Sequence, residues 1–295
     1  MNRGDRSQRI FLDDQDQRRF LETLGEACGK TGWQVHAYCL MTNHFHLVVE
    51  TPQANLVAGM KWFLGTYTIR FNRRHKLFGH LFSGRYKSLV VDSSTPGYLK
   101  AACDYVHLNP ARARLLGVKE PLRAYVWSSF PDYLRSSARR PAWLRVDRLF
   151  GEHGVPKDSP AGRRMFEQRM EARRRAEEQS EVWAPLRQGW CLGEEAFRKE
   201  LLQQASEQRG AHHYGAELKE GEEERAERLV REELARRKWS EKDLGRRPKT
   251  DPNKARIALR LRKVTTMTMA WIARRLAMGS VNTLKNTLRL ANSRD

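Results

Sequence analysis

The chain has 295 residues, with 55 Lys plus Arg against 35 Asp plus Glu, so its formal net charge is +20 and its pI near 10.2. No window approaches the roughly 18 uninterrupted apolar residues of a membrane span. Four cysteines, Cys28, Cys39, Cys103 and Cys191, are too widely spaced for a C-x-x-C zinc motif or a dense disulfide framework, which argues against a small secreted scaffold.

At about 100 to 200 residues per domain the length predicts two units. The charge divides unevenly: +8 over 1–135, +1 over 136–243 and +11 over 244–295. Two basic ends around a neutral middle fit a polyanion touched at two places, because Lys and Arg neutralise phosphates. A membrane surface is the weaker alternative.

In chain order, Phe20, Leu21, Leu24, Ala27 and Cys28 recur at spacings of three and four and predict a helix over 13–30. Residues 33–41 alternate around Val35, Ala37 and Cys39, Thr42 and Asn43 supply a turn, and 44–50 is extended, which predicts a hairpin. A second helix is expected over 55–74, an extended run over 81–91, and a third helix with Thr95 as N-cap and Pro96 at its first position, stopping near Asn109 because Pro110 follows. This order matches a split βαββαβ unit without a clear first strand. The charge-rich stretches 160–181 and 217–242, the latter with Glu224/Arg228, Glu227/Arg231, Glu232/Arg236 and Glu233/Arg237 four apart, read as solvated spacer helices with no assigned chemistry.

His44 and His46 lie two apart on a predicted strand, so both imidazoles project from one face. Tyr105 and Asn109 lie four apart and share a helix face, which sets a phenol one turn from an amide oxygen able to complete a two-histidine metal site. Each alone has an ordinary structural explanation: a packed histidine, a half-buried aromatic, a helix end before proline.

Three segments in this order, MetThrAsnHisPheHisLeuValValGlu (41–50), GlyArgTyrLys (84–87) and AspTyrValHisLeuAsnProAlaArgAla (104–113), resemble the tyrosine HUH single-strand endonucleases, specifically the REP-associated branch of the single-strand insertion-sequence transposases. The resemblance covers residues 1 to about 135. It implies that His44 and His46 form the metal pair, that Tyr105 is the nucleophile, and that Asn109 is the third protein ligand, where other branches carry Gln. It also implies an α+β core with a ferredoxin-like antiparallel sheet and the histidines on a central strand.

A free phenol, with a pKa of about 10, attacks a phosphodiester at neutral pH only if its oxyanion is favoured or the phosphate charge is neutralised. A divalent cation does the second, and mixed nitrogen and oxygen ligands suit Mn2+ and admit Mg2+. The expected product is a 5′-phosphotyrosine with a free 3′-hydroxyl, which can be rejoined. Arg85 and Lys87 are read as backbone contacts or as aids to the phenol, with Tyr86 between them able to stack on an unpaired base; a solvated, charge-blunted edge strand is the equal alternative. His107 is expected at the surface or against DNA. His36, His212 and His213 are given no role.

In the basic tail, Asp251 and Pro252 start a helix with Ile257, Ala258, Leu261 and Val264 on one side. A second is expected over 268–277 and a third, capped by Ser280, with Val281, Leu284 and Leu288 inward. The pattern resembles a helix-turn-helix with Asn282, Lys285, Asn286 and Arg289 facing DNA.

The reading is a metal-dependent transposase and nicking-and-joining endonuclease acting on single-stranded DNA at hairpin repeats. Its parts are a catalytic domain over 1–135, a helical spacer over 136–243 and a helix-turn-helix module over 244–295. It is expected in the bacterial cytoplasm with the nucleoid, off membranes, as a monomer or homodimer. A domesticated, non-cleaving binder of hairpin DNA is the alternative; a rolling-circle replication initiator is weakened by the lack of a phosphate-binding loop. Family members enter their first strand ahead of a MetAsnArgGly-like sequence, which here is residues 1–4. Residues 1–12 are therefore expected to form at most a short remnant strand, and the chain to be truncated and unstable or inactive.

Overall fold

The computed structural model describes residues 1–177, 189–207 and 216–292, so His212, His213 and the last residues of the helix expected over 160–181 lie outside the described residues. Chain contacts divide it into two units, one built from 1–25, 33–50 and 64–210 and the other from 26–32, 51–63 and 211–295.

The first unit is organised on an antiparallel sheet of β1 (Asn2–Arg3), β2 (Gln34–Met41) and β3 (His44–Glu50) in the order β1-β3-β2. Thr42 and Asn43 close the β2–β3 hairpin, setting Cys39 opposite His46 and Met41 opposite His44. Every β2 residue after Gln34 is buried. Its free side is covered by later chain: Leu40 N–H donates to Trp127 O at 2.8 Å, Ser129 N–H to Tyr38 O at 2.9 Å and Arg145 N–H to Val35 O at 2.8 Å. β1 is two residues long and pairs Arg3 with His44.

The extended run expected over 81–91 is corrected. Only β4 (Val90–Val91) is regular, and it pairs in parallel with β5 (Cys191–Leu192). The preceding stretch runs along the other edge of β1: Asp5 N–H donates to Leu81 O at 2.9 Å, Ser83 N–H to Arg3 O at 2.9 Å and Lys87 N–H to Met1 O at 2.9 Å. Between the last two contacts the pairing slips by two residues, and there Gly84 takes a φ of 59°, which breaks the strand geometry.

Helix α1 (Asp14–Thr31) starts where the Asp13 carboxylate accepts from the Gln15 and Asp16 amides at 2.9 and 3.1 Å, and it buries Phe20, Leu24, Ala27 and Cys28. Helix α2 spans Leu56–His75. Phe11, Phe20, Phe45 and Tyr67 pack together with ring centres 4.9 to 6.0 Å apart, joining α1, α2 and β3.

Helix α3 (Tyr98–His107) begins two residues later than expected, after Gly97 at φ 98°. Thr95 is not its cap: its hydroxyl donates to Asp92 at 2.9 Å, and the Glu152 carboxylate accepts from the Gly97 and Lys100 amides at 3.1 and 2.9 Å. Leu99, Ala102, Cys103 and Val106 are buried as α3 packs on β2 and β3. Pro110, without an N–H, opens the separate four-residue α4 (Asn109–Arg112).

The reading of 160–181 and 217–242 as solvated spacer helices is corrected by burial. In α7 (Pro160–Glu177), after the short α5 (Phe130–Tyr133) and α6 (Asp147–Glu152), Phe166 and Met170 are fully buried. Phe166 stacks on Tyr133 with centres 5.1 Å apart. Helix α8 spans Glu195–Glu207. In the second unit α9 (Ala216–Arg236) buries Ala226, Val230 and Leu234, four residues apart each, with α10 (Glu241–Arg246), α11 (Pro252–Val264), α12 (Met269–Arg275) and α13 (Val281–Asn292) around the same core.

The last three helices start as their caps predict: Asp251 accepts from the Asn253 amide at 2.8 Å, Thr268 from the Trp271 amide at 3.2 Å and Ser280 from the Thr283 amide at 3.1 Å. Of the four acid–base pairs expected along α9, Glu233 meets Arg237, whereas Glu227 turns to Arg275 at 2.6 Å. Among the described residues no helix is long and apolar enough to cross a membrane.

Candidate active site

β3 brings His44 and His46 out on one side, with ring centres 5.1 Å apart and planes at 78°. α3, lying on the same strands, sets the Tyr105 ring edge-on to His46 at 5.7 Å. These three of the expected residues meet directly. Asn109 follows Tyr105 by one turn, is buried to 8% exposure, and its Nδ2 has no hydrogen-bond partner.

Burial holds both imidazoles neutral. The His44 pKa is pushed down to about 4 by desolvation and then by the Arg3 charge. That of His46 falls to about 3 by desolvation, with His44, Arg112 and Arg3 adding to the effect. Asn43 Oδ1 accepts from His44 Nδ1 at 2.8 Å, which fixes the tautomer and leaves Nε2 with its lone pair.

Neutral, desolvated imidazoles are what a divalent cation requires. An imidazole bound through nitrogen at about 2.1 Å has its ring centre roughly 3.3 Å from the ion, so two on one ion sit about 4.6 to 5.4 Å apart for angles of about 90° to 110°. The observed 5.1 Å lies in that span. The orphaned Asn109 amide fits as well, because a half-turn exchanges its nitrogen for an oxygen in the partnerless position. Among the described residues no group of three or more His, Cys, Asp or Glu is arranged to hold a metal; a His, His, Asn set is of another kind.

The cation that touches Tyr105 is not one expected from sequence. Arg112 places its guanidinium carbon 4.0 Å from the centre of the Tyr105 ring and donates through Nη2 to the Tyr105 carbonyl. Sequence carries no signal for it, because the helix of Tyr105 is expected to stop near Asn109, and Arg112 lies on the separate α4. Arg85 and Lys87 are exposed on the segment beside β1, and Tyr86 between them is half-buried, its phenol pKa raised by desolvation.

His107 is corrected: it is 1% exposed, bonds Ser129 Oγ at 2.8 Å and lies edge-on to Phe130, Tyr133 and Phe166. Two residues of helical rotation from Tyr105 turn it into the core. A second feature not foreseen is Asp104, fully buried, with His153 Nε2 at 2.8 Å and Arg173 Nε at 3.2 Å, which anchors the helix that carries Tyr105. Asn282, Lys285, Asn286 and Arg289 are all exposed on α13. A groove of about 740 Å³ lined by Trp33, Pro141, Trp143, Phe150 and Lys157 contains none of the expected residues.

Residues 5–109 match the family model described as Transposase IS200 like, a stretch that holds His44, His46, Tyr105 and Asn109. No curated protein and no solved structure matches the chain.

Proposed function

We propose that the protein cleaves and rejoins single-stranded DNA at hairpin repeats with Tyr105 as nucleophile, because residues 5–109 match the family model described as Transposase IS200 like. The observation that carries this is the contact of Tyr105 with His46, itself 5.7 Å and 5.1 Å from its two ring neighbours Tyr105 and His44. The antiparallel order β1-β3-β2 supports a ferredoxin-like sheet with the histidines on its middle strand.

His44, His46 and Asn109 would hold a divalent cation, Mn2+ or Mg2+. Bound there, it supplies charge neutralisation at a phosphate oxygen. Tyr105 Oη forms a bond to phosphorus while the bond to the 3′ oxygen breaks, and that oxygen leaves as the 3′-hydroxyl after taking up a proton. The 5′-phosphotyrosine keeps the ester for a second strand, so the reverse attack by a 3′-hydroxyl rejoins DNA. Arg112 steadies the phenol, and Asp104 with His153 and Arg173 steadies the helix beneath it. Helices α11 to α13 serve as a helix-turn-helix that brings a further stretch of DNA, with Arg85, Tyr86 and Lys87 contacting the strand near the site.

The test uses the full chain with labelled single-stranded oligonucleotides that carry hairpin repeats. A covalent adduct is expected in Mn2+, lost in EDTA and lost in Tyr105→Phe while binding persists. Binding without an adduct in any metal would leave a non-cleaving hairpin binder.

A further inference from the structure

Of the eleven phenylalanines, eight are buried, Phe82 and Phe197 are half-buried, and Phe78 is 98% exposed. Nothing about its loop is slack. After α2 the chain turns through Lys76 at φ 54° and Gly79 at φ 90°. Leu77 N–H donates to Asn72 O at 2.9 Å, and Asn72 Nδ2 donates to Gly79 O at 2.9 Å, so both sides of Phe78 are tied to one residue of the helix. The last turn of α2 is clamped in its turn: Arg74 meets Asp13 and Asp16 at 2.6 Å each, and His75 meets Asp16 at 2.9 Å. A braced turn thus holds a phenyl ring out in water, where it forgoes the burial that stabilises its counterparts.

Charge narrows the ligand. From Leu64 to Val91 there is no Asp or Glu and there are six Lys or Arg. Asp13 and Asp16, which approach this turn, are both paired with Arg74, and Asp16 also meets His75. Arg73, Lys76 and His80 are exposed on either side of Phe78. A fully exposed flat ring, beside the half-exposed Leu77 and flanked by basic side chains, fits an unpaired nucleobase with its flanking phosphates, since a base offers a π-face and its backbone offers charge. Paired bases have both faces occupied by their neighbours.

Position agrees. Five residues on, Ser83 donates to Arg3, and Arg3 pairs with His44. Two strand spacings come to about 10 Å and five residues reach at most about 17 Å, so Phe78 lies no more than about 27 Å from His44.

We infer that Phe78 is a stacking platform for an unpaired base of single-stranded DNA, held at a fixed place relative to the strand that carries His44; this rests on the function proposed above. Binding of the full chain to a fluorescent oligonucleotide, a hairpin flanked by single strand, is compared for wild type, Phe78→Ala and Phe78→Trp, with each unpaired nucleotide replaced in turn by an abasic one. Phe78→Ala is expected to bind roughly 5- to 150-fold more weakly, Phe78→Trp like wild type, and one abasic position should weaken wild type without further weakening Phe78→Ala. Blunt duplex of the same length should bind both within about twofold. Circular dichroism verifies that a change at so exposed a site leaves the fold intact. Unchanged affinity in Phe78→Ala, equal losses on duplex, or abasic losses identical in both proteins would each overturn the platform while the DNA function stands. Absence of wild-type binding would overturn both.

Discussion

The guanidinium of Arg112 lies over the ring of Tyr105 with its carbon 4.0 Å from the ring centre, opposing a residue seven positions earlier across the break that Pro110 imposes. A cation on an aromatic face contributes about 0.5 to 2 kcal/mol, and its attraction grows as negative charge builds on the phenol oxygen, so it acts more on the transition state than on the resting enzyme. Arg112→Ala should slow single-turnover adduct formation by about 3- to 30-fold, and Arg112→Lys should recover part of the loss, retaining charge without the planar stack. Binding of the uncut oligonucleotide should change less than the rate. A drop in melting temperature with an unaltered rate would make Arg112 a packing residue only.

For the metal site the expectation separates the three ligands. His44→Ala or His46→Ala should abolish Mn2+-dependent cleavage and reduce Mn2+ binding by titration calorimetry. Asn109→Ala should weaken both to a lesser degree, because water replaces an amide oxygen at a hard cation more readily than it replaces an imidazole. Equal cleavage in EDTA and in Mn2+ would refute a metal role for all three.

Much of this site was legible because it depends on local periodicity. Two-residue alternation alone placed His44 and His46 on one face, and a four-residue step placed Asn109 beyond Tyr105. The short distance between those two pairs is tertiary, and no spacing encodes it. His107 was misplaced for a related reason: helical rotation shows that it points away from Tyr105 but not that Phe130, Tyr133 and Phe166 wait there.

Charge counting was the weaker instrument. It separated a neutral middle from a basic tail, yet Glu227 and Glu233 of the middle bind Arg275 and Arg260 of the tail. Lys254, wholly buried, donates to the carbonyls of Leu244, Arg247 and Ala277 at 2.6 to 3.2 Å, a use of lysine that composition cannot distinguish from a phosphate contact. The strand expected over 81–91 failed at Gly84, whose positive φ breaks the alternation that the surrounding residues suggest.

His36 sets an acid limit on stability. It is 2% exposed, its Nδ1 has no partner, and desolvation lowers its pKa despite the Glu50 carboxylate at 3.0 Å, with Arg148 and Arg145 adding repulsion. Because the folded value lies below the ordinary one near 6.5, acidification through that value protonates the unfolded chain first. The contribution of His36 is therefore full above about pH 6.5 and falls below it by up to about 1.4 kcal/mol per pH unit until the folded value is reached. His36→Gln should show a shallower decline of melting temperature between about pH 6.5 and 5 than wild type, whatever its offset at neutral pH. Parallel curves for the two proteins would show that His36 takes no part.

The basic tail is best tested by substitution. Deleting 244–295 would strip Ile257, Leu261, Ile272 and Leu284 from the core that also holds Ala226, Val230 and Leu234, so lost binding would report unfolding. On α13 the buried Leu284, Thr287 and Leu288 face that core, whereas Asn282, Lys285, Asn286 and Arg289, at steps of three and four, form the exposed stripe. A recognition helix that uses this stripe draws on Lys285 and Arg289 for phosphates and on the two asparagines for base edges. Replacing Lys285 and Arg289 together by Ala should flatten the slope of log affinity against log salt by about 1.4 on single strands and about 1.8 on duplex, two contacts' worth of released counterions, and should weaken all sequences alike. Asn282→Ala with Asn286→Ala should leave the slope in place and reduce the preference between sequences. If the charge-removing pair leaves the slope unchanged, α13 does not meet the DNA backbone and the helix-turn-helix reading fails.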